Sequence, residues 1–409
     1  MTKTPQKKIG AQVAIIGGGI IGCACAYYLA RRGIKVTLLD RSVIGGESSG
    51  GNSGGIRQQG RDPRERSLAM ASAKLWEKLG AELDYDLEYV QGGNIQPAIN
   101  EIEMERHRAL QEKELADGLA VEVWDRDELR RRAPYVAPIF LGAKYCAKDG
   151  VANPIIATRA FGWAAKRAGA TILPHAKVVH IAVEAGHVTS VTAKSVEGEI
   201  VVEAPTVIHS SGVWTPELSR DLGLTVPIEV VRHVVAVTQR VRPLFSEYID
   251  VKLYGDIAEP ALVTSTGRLG EEQGLGVRPD REGHIHIGGV STFGTFDQSV
   301  PADALEYLAR GAAMVIPALR GTSILRAWAR PLEYTPDRLP IIGPVRGIDG
   351  YILAAGFSGH GFCLGPIVGK VVSELIVDGA PSMPLDEFRF SRFEEPTFRP
   401  LDEKTFRRA

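Results

Sequence analysis

The sequence predicts a two-domain α/β fold, and three observations lead to this prediction. At the N-terminus, residues 13–40 read as a strand, a glycine turn, a helix and a second strand. Near the C-terminus, residues 354–377 read as another glycine loop that leads into an apolar helical pattern. Between them, residues 225–325 alternate like antiparallel strands, with one helix near residues 302–316. A chain of 409 residues is also too long for one average core.

Composition argues against several function classes. The 48 Lys and Arg residues nearly balance the 49 Asp and Glu residues, with no long run of one sign, so a nucleic-acid surface is not expected. Residues 13–30 are apolar but contain four glycines and no small-residue cleavage site, which predicts neither a signal peptide nor a membrane span. The four cysteines lack C-x-x-C spacing, which favours free thiols in a reducing cytoplasm.

The N-terminal block has the pattern of a Rossmann-like dinucleotide site. An apolar run over residues 13–16 leads into Gly17-x-Gly19-x-x-Gly22, where Ile20 and Ile21 begin the helix, and the second strand ends at Asp40. Glycines let the backbone approach a pyrophosphate at the helix N-terminus, where unpaired N–H groups favour phosphate. Asp40 is expected to accept hydrogen bonds from ribose hydroxyls, and its charge disfavours the 2′-phosphate of NADP.

A glycine-rich loop follows the acid at the same edge of the predicted sheet. Residues 45–59 read GGESSGGNSGGIRQQ, which composition alone would class as a flexible linker. Its position after Asp40 and Arg41 favours a loop that wraps a flat cofactor, with Ser49 and Asn52 as hydrogen-bonding side chains. Asp62 then predicts the N-cap of the next helix, and Pro63 its first residue.

The C-terminal motif repeats the arrangement of a glycine loop before a helix. Residues 354–362 read AAGFSGHGF and precede an apolar stripe with helical spacing. The positive end of this helix would face whatever lies in front of the loop. Upstream, residues 329–343 read ARPLEYTPDRLPIIG.

With these motifs the chain resembles the flavin-dependent amine oxidoreductases of the D-amino acid oxidase, glycine oxidase and sarcosine oxidase superfamily. The matching segments run in the family's order from residue 13 to about residue 377: VAIIGGGIIG, the acid at Asp40, SSGGNSGGIRQQ, DGVANP, HSSGVWTPEL, ARPLEYTPDRLPIIG and AAGFSGHGF. The segment SGGNSGGIRQQGRDPRE is most similar to flavoprotein subunits of bacterial heteromeric dehydrogenases or oxidases for opines, D-hydroxyproline and related imino acids.

The resemblance implies a glutathione-reductase-like FAD fold and a set of cofactor residues. FAD would lie extended, with its adenosine at the N-terminal glycine turn and its ring between the two glycine loops. The residues implied for FAD, held without a covalent link, are Gly17, Gly19, Ile20, Ile21, Gly22, Asp40, Arg41, Ser49, Asn52, Ser53, Gly54, Gly55, Ile56, Val178, Ser211, Gly212, Trp214, Gly356, Ser358, Gly359, His360, Gly361 and Phe362. A helix N-terminus near the flavin pyrimidine would stabilise the charge of the reduced ring by about 0.3–2 kcal/mol.

Two arginines are candidate catalytic residues by the same resemblance. Arg330 stands where this family places a carboxylate-binding arginine or a cysteine that attaches flavin covalently, and an arginine excludes that covalent link. A guanidinium can hold a substrate carboxylate with two parallel hydrogen bonds. The alternative is a structural ion pair with a nearby acid. For Arg57 there are also two alternatives: it tunes the flavin, or it forms a structural ion pair.

Histidines complete the candidate set. His286 stands where related oxidases carry a lysine that speeds reaction with oxygen, and Cys363 replaces a second such lysine. This difference predicts a dehydrogenase rather than an oxidase. His360 is expected to make a polar contact to flavin, with a general-base role disfavoured. His284 and His286 share a strand face, but no third ligand is evident, so no metal site is predicted.

The motifs of the nucleotide domain are separated along the chain, so this domain is expected to be discontinuous. We assign residues 1–80, 141–222 and 326–385 to the FAD-binding domain, residues 81–140 and 223–325 to a mainly antiparallel substrate domain, and residues 386–409 to a C-terminal tail. The active site would be the cleft between the domains. The tail is rich in Phe and Arg, and either docks on its own domain or covers a partner subunit.

The predicted function is that of an FAD-dependent oxidoreductase acting on CH–NH or CH–NH2 donors. The resemblance implies oxidation of a secondary amine, an amino acid or an imino acid such as an opine or D-hydroxyproline. Electrons would pass to other subunits of a hetero-oligomer. The alternatives are an oxidase that uses oxygen and a non-catalytic FAD-bearing subunit. A disulfide reductase is disfavoured because the sequence has neither a cysteine pair nor a second GxGxxG.

Overall fold

A computed structural model describes residues 6–252 and 274–400. The strands in this part of the chain are β1 (Gln6–Gly10), β2 (Val13–Ile16), β3 (Val36–Leu39), β4 (Gly55–Ile56), β5 (Asn94–Ala98), β6 (Glu122–Trp124), β7 (Gly142–Cys146), β8 (Gly150–Val151), β9 (Thr171–Leu173), β10 (Lys177–Glu184), β11 (His187–Ser195), β12 (Gly198–Glu203), β13 (Thr206–His209), β14 (Glu229–Thr238), β15 (Tyr248–Lys252), β16 (Gly274–Pro279), β17 (Ile285–Phe293), β18 (Ile324–Tyr334), β19 (Ile341–Pro344) and β20 (Tyr351–Ala355). The α-helices are α1 (Ile20–Arg31), α2 (Ser48–Gly51), α3 (Pro63–Leu83), α4 (Glu101–Ala116), α5 (Arg126–Arg132), α6 (Pro154–Arg167), α7 (Thr215–Arg220), α8 (Ala302–Val315) and α9 (Gly361–Asp378).

The strands form two large sheets and two small ones. A six-stranded sheet has the order β19-β20-β13-β2-β3-β9 and is parallel except for β19. An eight-stranded, mostly antiparallel sheet has the order β18-β14-β17-β16-β15-β5-β7-β6. A four-stranded sheet, β1-β12-β11-β10, and the pair β4-β8 complete the set. The predicted α/β fold class is confirmed.

Close packing between α1 and α9 positions two helix N-termini side by side. On α9, a Cβ atom at Gly365 would lie 2.5 Å from the side chain of Ile20, and one at Gly369 would lie 2.5 Å from that of Ala24. Glycine at these two positions therefore lets the helix axes approach closely. Both helices belong to one core that also contains α6 and the buried face of α3. As a result, α1 and α9 begin next to each other.

The eight-stranded sheet has one apolar face and one polar face. Side chains such as Val234, Ile287 and Ala329 are buried against α8 in a second core. Because strand side chains alternate, their neighbours His286 and Arg330 lie on the opposite face. That polar face packs against the glycine-rich loop over residues 45–55, since Trp328 Nε1 donates a hydrogen bond of 2.8 Å to the carbonyl of Gly51.

Most elements predicted from local sequence are confirmed. The strand, glycine turn, helix and strand predicted over residues 13–40 are β2, α1 and β3. Asp62 caps α3 by accepting the N–H of Arg64, and Pro63 is the first residue of that helix. Strands β7 and β18 lie in ranges that the sequence assigned to the FAD-binding domain, yet they hydrogen-bond into the eight-stranded sheet. None of the helices in the described ranges is long and apolar enough to cross a membrane.

The tail packs on its own chain as far as the structure describes it, which excludes residues 401–409. Phe388 joins the core around α1, and Phe390 joins the core of the four-stranded sheet. Arg392 donates hydrogen bonds of 2.8 and 3.1 Å to the carboxylate of Asp337, which is 2% exposed. This buried ion pair ties the tail to the turn that follows β18.

We expect Arg392→Met to lower the free energy of unfolding by about 3–5 kcal/mol, because it leaves the buried Asp337 carboxylate without its counter-ion. The matched control is Arg399→Met, since Arg399 is an exposed tail arginine that donates to the backbone carbonyls of Pro396 and Phe398. Denaturant unfolding of both variants measures the difference. A loss below about 1 kcal/mol for Arg392→Met would show that the ion pair does not hold the tail.

Candidate functional site

The main cleft lies at the carboxyl edge of the six-stranded sheet. Its walls come from the ends of β2, β3 and β13, from the glycine-rich loop, from the residues before α9 and from Leu332 and Glu333 on β18. It encloses about 1230 Å³ of empty space, counted out to its open mouth. A crevice at the carboxyl ends of the strands of an open α/β sheet is where such folds bind dinucleotides.

The turn between β2 and α1 forms the floor of the cleft without side chains. Gly17 has φ +107° and lies so close to the backbone of Ser210 that a Cβ atom would overlap it. Gly19 is the N-cap of α1, and Gly19, Ile20 and Ile21 line the cleft, so the start of the helix faces it. The backbone N–H groups and the helix dipole at a helix N-terminus suit the phosphates of a dinucleotide.

The end of β3 supplies the predicted acid. One carboxylate oxygen of Asp40 accepts the N–H of Gly18 at 2.6 Å, and the other accepts the N–H of Ser42 at 2.6 Å. Each oxygen keeps a further lone pair for a ribose hydroxyl. Beside it, the guanidinium of Arg41 lies 4.2 Å from the ring centre of Trp214, and both side chains line the cleft. Asp40 therefore fixes the loop as well as facing the ligand.

The polar side chains of the glycine-rich loop organise the loop itself. Ser49 Oγ accepts the N–H of Ile20 at 3.0 Å. Asn52 donates to the carbonyl of Ser49 at 2.8 Å and accepts the N–H of Gly54 at 2.7 Å. Ser49 and Asn52 line the cleft, so these bonds join the loop to the start of α1 and hold the wall in shape.

The cleft brings together fifteen of the residues that the sequence predicts for FAD: Gly17, Gly19, Ile20, Ile21, Asp40, Arg41, Ser49, Asn52, Val178, Ser211, Gly212, Trp214, Gly359, Gly361 and Phe362. The other predicted residues lie outside its lining: Gly22, Ser53, Gly54, Gly55, Ile56, Gly356, Ser358 and His360. Gly22 packs on Gly17, and Ser358 is hydrogen-bonded to Thr335. A cofactor role stays a prediction for both groups.

Arg330 lies on the polar face of the eight-stranded sheet, directly against the glycine-rich loop. A Cβ atom at Gly51 would overlap its side chain, so the missing side chain makes room for the arginine. Nη1 of Arg330 donates to the carbonyl of Ala329 at 2.8 Å and to Gln298 at 3.4 Å. Its Nε is shielded from solvent and has no hydrogen-bond partner within residues 6–252 and 274–400.

Arg57 and His286 each have an acidic neighbour. Nε of Arg57 lies 3.7 Å from the carboxylate of Asp250, although burial opposes the charge of the arginine. Nε2 of His286 lies 3.1 Å from the carboxylate of Asp280. Burial lowers the pKa of His286, and the nearby Arg278 lowers it further while Asp280 opposes the shift. His286 is therefore neutral at neutral pH.

His360 is not among the residues that line the cleft, although both of its neighbours, Gly359 and Gly361, are. Its Nδ1 lies 2.8 Å from the carboxylate of Glu65, which is fully buried and also lies 3.4 Å from Arg61. Burial lowers the pKa of His360 to about 4, and Arg61 adds to the shift. The imidazole is thus neutral, and its position beside Glu65 fixes the turn that begins α9.

Some residues of the site carry no motif and were missed in the sequence. Glu333 lines the cleft, and Arg278 is a buried arginine whose Nε donates to the carbonyl of Ser53. Tyr248 packs against Gly55 from the same polar face. One sequence pattern could have indicated Arg278 and Tyr248. Each is a large polar side chain in a predicted strand, and the residues next to it in that strand are apolar. Glu333 lies inside the matched segment ARPLEYTPDRLPIIG, but nothing in that segment singled out this acid as a residue of the site.

Comparisons with known proteins agree with this geometry. A family model described as "DAO: FAD dependent oxidoreductase" matches residues 12–375. The chain is 28% identical over 394 residues to glycine oxidase of Pseudomonas putida, covering 91% of this chain and 98% of that protein. Among solved structures, L-proline dehydrogenase from P. horikoshii has a TM-score of 0.84 at 28% identity, covering 97% of this chain and 100% of that chain. Glycine oxidase from Geobacillus kaustophilus has a TM-score of 0.83 at 25% identity, covering 94% and 99%.

We expect Gly19→Ala to weaken FAD binding at least tenfold, or by about 1.4 kcal/mol. The backbone of Gly19, with φ −73°, accepts alanine, but the new Cβ would lie 2.9 Å from Ser49 Oγ in the wall of the cleft. The control is Gly10→Ala, where the Cβ would have no neighbour within 4 Å. Titration of each apoprotein with FAD, followed by flavin fluorescence, gives the dissociation constants. Equal affinities would contradict the assignment of this turn.

Proposed function

We propose, from the premise that the chain belongs to the DAO family of FAD-dependent oxidoreductases, that it is a dehydrogenase for a secondary amine or imino acid that carries a carboxylate. FAD is the cofactor of this family. Glycine oxidase and L-proline dehydrogenase, to which the chain is similar, are named for amino-acid substrates. Proline is a cyclic secondary amine, and opines and D-hydroxyproline belong to the same chemical class.

The observation that carries this proposal is that Nε of Arg330 is buried and has no hydrogen-bond partner in the part of the chain that the structure describes. A buried polar group costs about 1–3 kcal/mol when it lacks a partner, and more when it is charged. A substrate carboxylate would satisfy this guanidinium with charge-assisted hydrogen bonds and orient the rest of the substrate. No ion pair in the described ranges includes Arg330, so the structural alternative raised from the sequence has no support there.

FAD supplies the chemistry of the reaction when it is bound, since flavins accept a hydride. The chain contributes binding, orientation and the exclusion of water. Arg330 would hold the carboxylate, and the polar face of the sheet would surround the amine. Loss of a hydride from a neutral amine needs no strong base, which agrees with the position of His360 beside Glu65 rather than in the cleft.

His286 favours a dehydrogenase over an oxidase. A fixed positive charge near a reduced flavin speeds electron transfer to oxygen, because it stabilises the superoxide anion that forms first. Burial keeps the His286 ring neutral, so this residue supplies no such charge. We propose that electrons pass instead to a partner subunit, which is what the resemblance of residues 49–65 to heteromeric flavoprotein subunits implies. The four free, buried cysteines favour a reducing compartment such as the cytoplasm.

We expect Arg330→Met to lower kcat/KM for a carboxylate-bearing amine about 100-fold, or by about 2.7 kcal/mol, with the FAD content unchanged. The substitution keeps the length of the side chain and removes the guanidinium. The control is Arg326→Met, an exposed arginine on the same strand. Anaerobic bleaching of the flavin followed against substrate concentration gives both constants. An equal loss for an amine that lacks a carboxylate would rule out carboxylate binding by Arg330.

We expect the reduced wild-type protein to react slowly with air and quickly with an artificial dye acceptor. His286→Lys should raise the rate of reoxidation by air at least tenfold, because it adds a cation at this position. His284→Lys is the control, since His284 bonds to the carbonyl of Thr238 at the end of the neighbouring strand. Stopped-flow mixing with air-saturated buffer measures the rates. Fast reoxidation of the wild-type protein would make it an oxidase.

A further inference from the structure

Glu333 places a carboxyl group in the wall of the FAD cleft, and one oxygen of this group has no hydrogen-bond partner among the described residues. Glu333 follows Leu332 on β18, and both residues line the cleft. Its Oε1 accepts the N–H of Phe357 at 3.2 Å, just ahead of α9. Its Oε2 is shielded from solvent and has no hydrogen-bond partner among the described residues. A Cβ atom at Gly212, on the opposite wall, would lie 3.7 Å from this oxygen.

Among residues 6–252 and 274–400, no charged side chain serves as a counter-ion for Glu333. Burial raises its pKa, the backbone N–H groups of Gly356 and Phe357 oppose the shift, and no charged side chain contributes. The other ionisable residues that line the cleft are Asp40, Arg41, Glu47, Lys177 and Glu217. The charged residues on β18 and on the adjacent β14 are Glu229, Arg232, Arg326 and Arg330. Arg232 is paired with Asp297, and Glu229 is exposed.

We propose that Glu333 binds FAD as a neutral carboxylic acid, donating its proton from Oε2 to an oxygen atom in the diphosphate–ribityl part of the cofactor. An ionised carboxylate at this position would face the two negative charges of the diphosphate across a site of low dielectric. The protonated acid instead offers one O–H donor to an acceptor oxygen. This inference concerns the cofactor alone and is independent of the proposed substrate.

Donation of a proton makes FAD binding depend on pH. Only the neutral form of Glu333 can donate a hydrogen bond to FAD, so bound FAD stabilises the protonated carboxyl group. When Glu333 loses this proton, the protein binds FAD more weakly. The affinity is therefore full below the pKa of Glu333 in the free protein and falls as pH rises above it. For one linked proton the limiting slope is about tenfold in Kd per pH unit.

The test is an FAD titration of the full-length apoprotein from about pH 5 to about pH 9, followed by flavin fluorescence. We expect the wild-type Kd to rise with pH, while Glu333→Gln, a permanently neutral donor of the same shape, keeps a flat profile near the low-pH affinity of the wild type. Glu333→Val should bind FAD at least tenfold more weakly at low pH. Glu229→Gln, an exposed acid on the adjacent strand, should match the wild type throughout.

Each outcome decides the proposal. A wild-type profile without pH dependence, a slope that persists in Glu333→Gln, or wild-type affinity in Glu333→Val would each overturn it. Competition by ADP separates the two sources of the acceptor oxygen. If Glu333→Val also weakens ADP binding, the acceptor belongs to the diphosphate, and if it does not, the acceptor belongs to the ribityl chain. Thermal melting of each apoprotein shows whether Glu333→Val is folded, and Glu333→Gln keeps the test valid if it is not.

Discussion

The site depends on glycines whose backbone lies too close to neighbouring atoms to leave room for a side chain. Gly17 lies against Ser210, Gly51 against Arg330, and Gly369 of α9 against Ala24 of α1. Each contact would be lost if a Cβ atom were added, because the neighbouring atoms cannot move far in a close-packed interior. These contacts bring together the six-stranded sheet, the glycine-rich loop and β18, so the cleft exists only where all three meet.

Two helix N-termini beside one another give the cleft its electrostatic character. The start of α1 and the residues before α9 both line it, and their partial positive charges favour an anionic ligand. Two acids near these helix ends are held by other groups, since Asp40 accepts two backbone N–H groups and Glu65 lies beside Arg61 and His360. These contacts stabilise the two carboxylates next to the positive ends of the helices.

Polar side chains around the site fall into two groups with different roles. Ser49, Asn52 and His360 contact the protein itself, and they keep the walls in one conformation. Arg330 Nε and Glu333 Oε2, both on β18, have no partner in the described ranges. Leaving a buried polar atom unpaired is costly, so these two atoms, next to the cleft, are candidates for contact with a ligand. Strand β18 thus carries two candidate ligand contacts: Arg330 for the substrate and Glu333 for the cofactor.

The sequence by itself determined the local elements and the class of ligand, because strand–turn–helix patterns, caps and glycine positions depend on neighbours along the chain. It located β2, α1, β3, α3 and α9, and fifteen of its predicted FAD residues line the cleft. Only the tertiary structure showed that His360 contacts Glu65, that β7 and β18 belong to the eight-stranded sheet, and that Glu333 faces the cofactor cleft. Those facts depend on strand pairing and on side-chain partners far apart in the chain, which no local pattern encodes.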